Sequence, residues 1–291
     1  MKQVFLVILL AFGFVVGAQN KIVKKTKKQK PATTQVAPKK HKSQSKPTKG
    51  GTVKRVATKA SYSNGTLTVN GIKYNMVWVD GGTFRMGATS EQGSEISDEK
   101  PVHSVTLSGY YIGKTEVTQA LWQAVMGSNP SYFEGDDLPV EQVSWDDCQE
   151  FIRKLNSLTG QNFRLPTEAE WEFACRGGNN SRGYKYSGSN YIDNVAWNWD
   201  NSGKKTHPVA TKSPNELGIY DMSGNVWEWC ADRYGDYSSG AQTNPKGPYD
   251  GSRRVCRGGS WGGNARVCRS SFRGHDSPTG RGSYLGLRLV L

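Results

Sequence analysis

The sequence lacks several features that would assign a chemistry directly. It has no Ser-His-Asp arrangement, no phosphate-binding glycine loop and no GxSxG string, so the common hydrolase and nucleotide-binding motifs are missing. None of its five cysteines belongs to a close CxxC pair, which argues against a zinc ribbon or a thioredoxin-type redox site. Its longest apolar run, residues 4–16, is shorter than the roughly 20 residues of a transmembrane helix. We therefore expect a protein that does not span a membrane.

The N-terminus has the pattern of a secretory signal peptide over residues 1–18. Lys2 precedes the apolar run, and the small pair Gly17-Ala18 follows it. The residue directly after the predicted cleavage point is Gln19 rather than a cysteine, so a bacterial lipid anchor would have no acceptor there. We expect an exported protein, periplasmic or extracellular, that is not a lipoprotein.

Residues 19–61 are predicted to be a disordered basic linker. The stretch from Lys21 to Lys59 has about fourteen Lys and Arg, no acid and few large apolar side chains, so it cannot bury enough surface to offset its ordering entropy. Without this tail and Lys2 of the signal peptide, the charge of +13 falls to about −2 for the predicted domain. The tail is either a soluble spacer or an electrostatic contact to acidic envelope polymers. Export argues against nucleic acid as its partner.

Residues 62–291 are predicted to form one loop-rich α+β domain. Short alternating segments between residues 62 and 87, separated by Asn-Gly and Gly-Gly turns, predict an antiparallel sheet. Helices are predicted near residues 118–126, over 145–158, and after Thr167, where Glu170 completes a capping box. From residue 176 onward the chain is rich in Gly, Asn, Ser, Trp and Tyr and shows little helical periodicity.

Several strings in this part resemble the formylglycine-generating enzyme (sulfatase-modifying factor) family. The resemblance implies that family's fold, an elaborated C-type-lectin-like α+β domain with little regular secondary structure. It covers essentially the whole predicted domain. The strings are MVWVDGGTFRMG (76–87), KTEVT (114–118), PVEQVSW (139–145), RLPTEAEW (164–171), NELGIYDMSGNVWEW (215–229), RGGSW (257–261) and LGLR (285–288).

The family's oxidase members bind copper through two cysteines placed shortly after the Gly-Gly-Ser string, since thiolates suit Cu(I). In this sequence the first of those positions falls on Gly263, and only Cys268 matches the second. The paired copper ligands are therefore missing, and we expect no copper cofactor and no oxidase activity. If the protein were an oxidase, Cys268 would be its catalytic residue.

The five cysteines allow up to two disulfides in an oxidising compartment, and their pairing does not follow from the sequence. Related bacterial sequences suggest a bridge between Cys230 and Cys268. Cys148 and Cys175 form a second candidate pair, which leaves Cys256 unpaired.

A calcium site is predicted at the loop that begins with Asp221. The resemblance to the family's calcium loop supports it, and the spacing of oxygen donors suits a hard cation. The predicted ligands are Asp221, Ser223, Asn225 and Glu228, with Ser223 contributing its carbonyl. A second, looser match to a family calcium site falls at Asn194 and Val195.

The C-terminal segment is a candidate ligand face. Between its family framework residues, every amino acid is one that an adenine-rich Asn codon can encode after its adenines are randomised. After Trp261 the sequence contains no Lys, Glu, Gln, Met or Trp. This pattern resembles the variable proteins of diversity-generating retroelements; ordinary loop composition is the alternative. The predicted ligand-binding residues are Gly262, Gly263, Asn264, Val267, Ser270, Phe272, His275, Asp276, Ser277 and Tyr284.

The sequence thus favours a secreted, non-catalytic, calcium-stabilised binding module with a protein or glycan ligand at the cell surface. Two alternatives remain open. One is an oxidase of the formylglycine-generating type acting on a protein cysteine, and the other is a structural component of an envelope secretion or gliding assembly.

Overall fold

The computed structural model describes residues 58–93 and 97–291. The predicted signal peptide and nearly all of the predicted linker lie outside these residues. Strand β1 (Ala60–Ser63) begins two residues before the expected domain boundary at Tyr62. Within the described residues no helix is long and apolar enough to cross a membrane.

The first sheet confirms the predicted antiparallel strands. It has the order β1, β2 (Thr66–Val69), β3 (Ile72–Val79) and β6 (Tyr110–Gly113). The first hairpin turns at Asn64-Gly65, whose φ angles are 48° and 74°. Positive φ at both central residues matches the strand twist, and Asn and Gly adopt it at low cost.

The three predicted helices are present, and the third has its predicted capping box. They are α1 (Gln119–Met126), α2 (Trp145–Thr159) and α3 (Glu168–Cys175). In α3 the Thr167 hydroxyl accepts from the backbone of Glu170, and the Glu170 carboxylate accepts from the backbone of Thr167. This reciprocal pairing satisfies two otherwise unpaired backbone donors and fixes where the helix begins.

Two further sheets complete the described structure. One contains β4 (Gly82–Met86), β5 (His103–Leu107) and β8 (Gln242–Thr243); the other has the order β10 (Arg273–Asp276), β9 (Arg254–Arg257), β7 (Trp227–Arg233) and β11 (Leu285–Gly286). A single-turn helix, α4 (Ile192–Val195), lies in the long loop region. Strand β7 was not predicted from the sequence. Its consecutive residues Glu228, Trp229 and Cys230 are all buried. A strand buried on both faces shows no alternation of polar and apolar residues.

The core consists of two large apolar clusters. In the first, α1 and α2 pack against the first sheet, and Trp229 is fully buried there; in the second, α3 packs against the other two sheets, and Trp171 is fully buried. Large buried aromatics of this kind hold loops that have few backbone partners of their own. The loop-rich α+β prediction is confirmed.

The predicted disulfides are not formed, since all five cysteines are buried free thiols. Cys148 belongs to the first apolar cluster, and Cys175 and Cys230 belong to the second. Cys268 lies apart from them, in a small cluster with Tyr186 and Val195. Both predicted pairs, Cys230 with Cys268 and Cys148 with Cys175, therefore join different clusters, and the structure contradicts them.

Candidate functional site

Four buried arginines hold the C-terminal segment, defined here as residues 257–288, against the rest of the domain. Each of them is at most 4% exposed and forms an ion pair with a buried glutamate. A buried ion pair is stable only when its geometry is good and its remaining donors find acceptors. The arginines are Arg257, Arg269, Arg273 and Arg288.

Helix α3 supplies the partners of two of these arginines. Arg257 donates to Glu172 at 2.6 Å and to Glu168 at 3.1 Å. Arg273 makes a bidentate pair with Glu168, at 2.7 and 2.8 Å. Nη2 and Nη1 of Arg257 also donate to the main-chain carbonyls of Ser270 and Ser271, at 2.7 and 3.3 Å. The side chains of α3 thereby fix the backbone path of the segment.

The other two arginines reach elements far away in sequence. Arg269 pairs with Glu99 at 2.6 and 2.9 Å, across 170 residues of chain. Arg288 pairs with Glu228 at 2.6 and 2.9 Å and donates to the carbonyl of Gly113 at 2.8 Å. A guanidinium held by two carboxylate oxygens has little freedom to rotate, so these contacts also fix the segment at both its centre and its end.

The residues between the arginines are mostly at the surface. Ser270 is the exception among the ten predicted ligand-binding positions, because it is fully buried and its backbone N–H donates to the carbonyl of Lys185. The structure thus corrects the prediction for Ser270. Gly262, Asn264, Ser277 and Tyr284 are exposed, and Gly263, Val267, Phe272, His275 and Asp276 are partly exposed.

Trp261 connects the two ends of this surface. Its indole N–H donates to the carbonyl of Ser283 at 2.8 Å, which brings the segment's beginning next to Tyr284. The ring of Trp227 lies 6.0 Å from that of Phe272, and the backbone N–H of Trp227 donates to the carbonyl of Tyr284. Aromatic contacts therefore link the early and late exposed residues into one face.

Two exposed aromatic residues that sequence reasoning missed border this face. Trp199 is 52% exposed, and its backbone N–H donates to the carbonyl of Gly263. Tyr132 is 70% exposed and packs edge-on against Phe133, which in turn packs edge-on against Trp261. Neither residue has a local sequence signal, because only the tertiary fold brings residues 132 and 199 to the C-terminal segment.

Cys268 has none of the properties of a copper-binding thiolate. It is fully buried, and burial raises the pKa of its thiol to about 12, so the thiol stays protonated at neutral pH. No other cysteine belongs to its apolar cluster among the described residues. Gly263, at the first copper position, has no side chain to offer.

The four predicted calcium ligands occupy neighbouring positions, but their side chains bind different partners. The Ser223 hydroxyl donates to the carbonyl of Cys268, and the Asn225 amide donates to Glu116. The Glu228 carboxylate accepts from Arg288 and from the indole of Trp171. Among the described residues no three or more His, Cys, Asp or Glu side chains form a metal-binding group.

One observation still fits a cation near this loop. Glu116, Asp221 and Glu228 are at most 3% exposed, and Arg288 is the buried cation that interacts with all three. Burial raises the pKa of Asp221 to about 6, and burial with the neighbouring carboxylates raises that of Glu116 well above its usual range. The Oδ2 of Asp221 accepts from the backbone N–H of Ala210 at 2.7 Å, so the atoms that would hold a calcium ion here are its Oδ1 and the predicted carbonyl of Ser223. At the second predicted site, Asn194 is exposed and Val195 is buried in α4.

A family model, the sulfatase-modifying factor enzyme 1-like domain, matches residues 66–291. The chaperone protein LppX of Paenibacillus barcinonensis is 39% identical over 221 residues, which cover 59% of this chain and 75% of that protein. The formylglycine-generating enzyme of Streptomyces coelicolor is 29% identical over 248 residues, 62% of this chain and 77% of the enzyme. The solved structure of Treponema denticola variable protein 1 is 37% identical, with a TM-score of 0.70, over 77% of this chain and 97% of that one. These matches confirm the predicted fold, and the chain belongs to the sulfatase-modifying factor enzyme 1-like family.

Proposed function

We propose that this protein is a non-catalytic binding module whose C-terminal segment presents the ligand face. One observation carries the proposal. Within residues 257–288 the arginines are buried and ion-paired, while nine of the ten predicted ligand-binding positions between them reach the surface. A rigid framework that displays small polar and aromatic residues is how other binding surfaces obtain adaptable contacts without loss of fold.

The likeness to Treponema denticola variable protein 1 supports the same proposal. The exposed positions predicted to bind a ligand are ones that a randomised Asn codon reaches, whereas the buried Arg257 and Arg288 stand in strings that match the family. Substitution at the exposed positions would alter the ligand face and spare the ion pairs. We propose that this face varies between copies of the gene.

Two features support a role without catalysis. The position of the first copper cysteine is a glycine, and the remaining thiol, Cys268, is buried and protonated at neutral pH. The main chain at Cys268 is also held in place, because its carbonyl accepts a hydrogen bond from the Ser223 hydroxyl at 2.8 Å.

We further propose that the protein is exported and meets its ligand, a protein or a glycan, at a cell surface. This part of the proposal rests on the signal-peptide pattern of residues 1–18. The basic residues between Lys21 and Lys59 would either form a soluble spacer or contact acidic envelope polymers.

Photocrosslinking tests the ligand face. A photoreactive amino acid replaces Tyr284, which is 43% exposed in the segment, and in a matched control it replaces Tyr249, which is 95% exposed outside it. After irradiation with envelope fractions of the native organism, we expect covalent adducts at position 284 and none at 249. Equal adducts at both positions, or adducts only at 249, would refute the proposed face.

An oxygen-consumption assay tests the oxidase alternative. The purified protein, supplied with Cu(I) and a cysteine-containing peptide, is expected to consume no oxygen above the rate of Cys268→Ser. Oxygen consumption that is present in the unmodified protein and absent in Cys268→Ser would show that the protein is an oxidase.

A further inference from the structure

A cavity of about 260 Å³ is lined by none of the exposed residues of the C-terminal segment. Its walls come from α3, from the ends of β4, β5 and β7, from Arg273 of β10, and from the loop that follows β7. Sites for small molecules are usually about 300–1,000 Å³, so this cavity suits a ligand of only a few heavy atoms.

The charges at the cavity wall do not balance. Glu168 is neutralised by Arg273, at 2.7 and 2.8 Å, and also by Arg257. Asp232 is 4% exposed and forms no salt bridge with any described residue. A second carboxylate, that of Asp236, stands exposed at the cavity rim. The cavity therefore has an excess of negative charge.

Asp232 is positioned by the first turn of α3. Its Oδ2 accepts a hydrogen bond from the backbone N–H of Glu168 at 2.9 Å. Its Oδ1 lies beside Gly247, another residue of the wall, where an added Cβ would come within 2.9 Å of it. One carboxylate oxygen thus stabilises the helix N-terminus, and the other has no ionic partner in the described structure.

The remaining wall is largely apolar or aromatic. Met86, Pro245 and Pro248 contribute apolar surface. The rings of His103 and Tyr237 pack edge-on with their centroids 4.9 Å apart, and the Tyr237 hydroxyl donates to Glu168. A ligand that fits would combine a compact positive group with a short apolar stem.

We propose that this cavity binds a small alkylammonium ion, with its ammonium group on the Asp232 carboxylate and its alkyl stem against Met86, Pro245 and Pro248. A buried carboxylate without a counter-charge is costly. An ammonium group supplies both the charge and the donors that Asp232 lacks, and a carboxylate ligand would be repelled. The site is independent of the ligand face proposed above.

Titration of the full mature protein with n-butylammonium, followed by amide chemical shifts, tests the proposal. We expect saturable shifts at residues of the cavity wall, no saturation with butyrate, and weaker binding as pH falls from 8 to 6. Asp232→Asn is expected to weaken binding at least tenfold. The asparagine keeps an oxygen that accepts from the backbone N–H of Glu168, so this group at the start of α3 keeps its hydrogen-bond partner.

Two further variants keep the test decisive if Asp232→Asn is destabilised. Asp236→Lys changes an exposed rim residue, and it is expected to weaken binding several-fold with no change in melting temperature. Asp200→Asn, at an exposed acid outside the cavity wall, is expected to bind as the unmodified protein does. Absence of n-butylammonium binding, full binding by Asp232→Asn and Asp236→Lys, or equal binding of butyrate would each overturn the proposal.

Discussion

Arg273 and Glu168 form a bidentate ion pair in which Nε and Nη2 lie 2.7 and 2.8 Å from the two carboxylate oxygens. The pair joins β10, in the middle of the C-terminal segment, to the first turn of α3. The remaining Nη1 donates to the carbonyls of Asp98 and Gly235 at 2.9 and 3.0 Å. One guanidinium thus fixes the segment, the helix and two loops relative to each other.

Removing the Arg273 guanidinium should destabilise the fold strongly. We expect Arg273→Met to lower the free energy of unfolding by about 3–5 kcal/mol, because Glu168 would lose a buried partner. Urea denaturation measures the change. Arg153→Met is the control, since Arg153 forms an exposed pair with Glu150, and it should leave the midpoint nearly unchanged. Equal losses in the two variants would contradict this role of the pair.

The exposed positions of the ligand face should tolerate substitution. Ser277→Ala and Tyr284→Ala are each expected to change the free energy of unfolding by no more than about 0.5 kcal/mol. Arg269→Met, which leaves Glu99 buried and unpaired, is expected to cost several times more. Thermal unfolding of the three variants makes the comparison. A large loss in the first two would mean that these side chains support the fold rather than a ligand.

Asp232 should make stability depend on pH. Burial, reinforced by the nearby Glu168 carboxylate, raises the pKa of Asp232 to about 7, whereas in the unfolded chain it is near 4. Between these values the folded protein binds the proton and the unfolded chain does not, so the contribution of Asp232 to stability falls as pH rises from about 4 to 7. We expect Asp232→Asn to become more stable relative to the unmodified protein over this range. A pH-independent difference would show that the pKa is not raised.

The calcium prediction is tested by thermal unfolding. Three buried carboxylates, Glu116, Asp221 and Glu228, share one buried guanidinium, that of Arg288, so a bound cation would relieve their repulsion. We expect calcium to raise the melting temperature of chelator-treated protein by several degrees at concentrations well above its dissociation constant. Asp221→Asn should abolish the rise. No effect of calcium on the unmodified protein would mean that protonation neutralises these groups instead.

The cysteines should all titrate as thiols once the protein unfolds. In guanidinium, without reductant, we expect a colorimetric thiol reagent to count five thiols per chain. In the native state the reaction should be slow, because burial hides the sulfurs and raises the pKa of each thiol, that of Cys175 to about 11. A count of three thiols in the unfolded protein would indicate one disulfide, and a count of one would indicate two. Either result would contradict the free thiols of the structure.

The sequence by itself determined the local structure and the family. Asn-Gly pairs fixed the first hairpin, and the Thr167 and Glu170 side chains fixed the start of α3, because these signals act within a few residues. The strings around residues 164–171 and 215–229 identified the fold. Nine of the ten positions predicted for the ligand face also reach the surface, because small polar residues of this kind are typical of loops.

Tertiary structure alone decided what each side chain meets. Ser270 is buried with its backbone N–H bonded to the carbonyl of Lys185, and Arg269 pairs with Glu99 across 170 residues of chain. Cysteines that suggested bridges lie in separate apolar clusters, and the carboxylate of Asp232 forms no salt bridge with any residue that the structure describes. Such outcomes depend on contacts between distant segments, which no local pattern encodes, and on the desolvation that burial imposes once those contacts form.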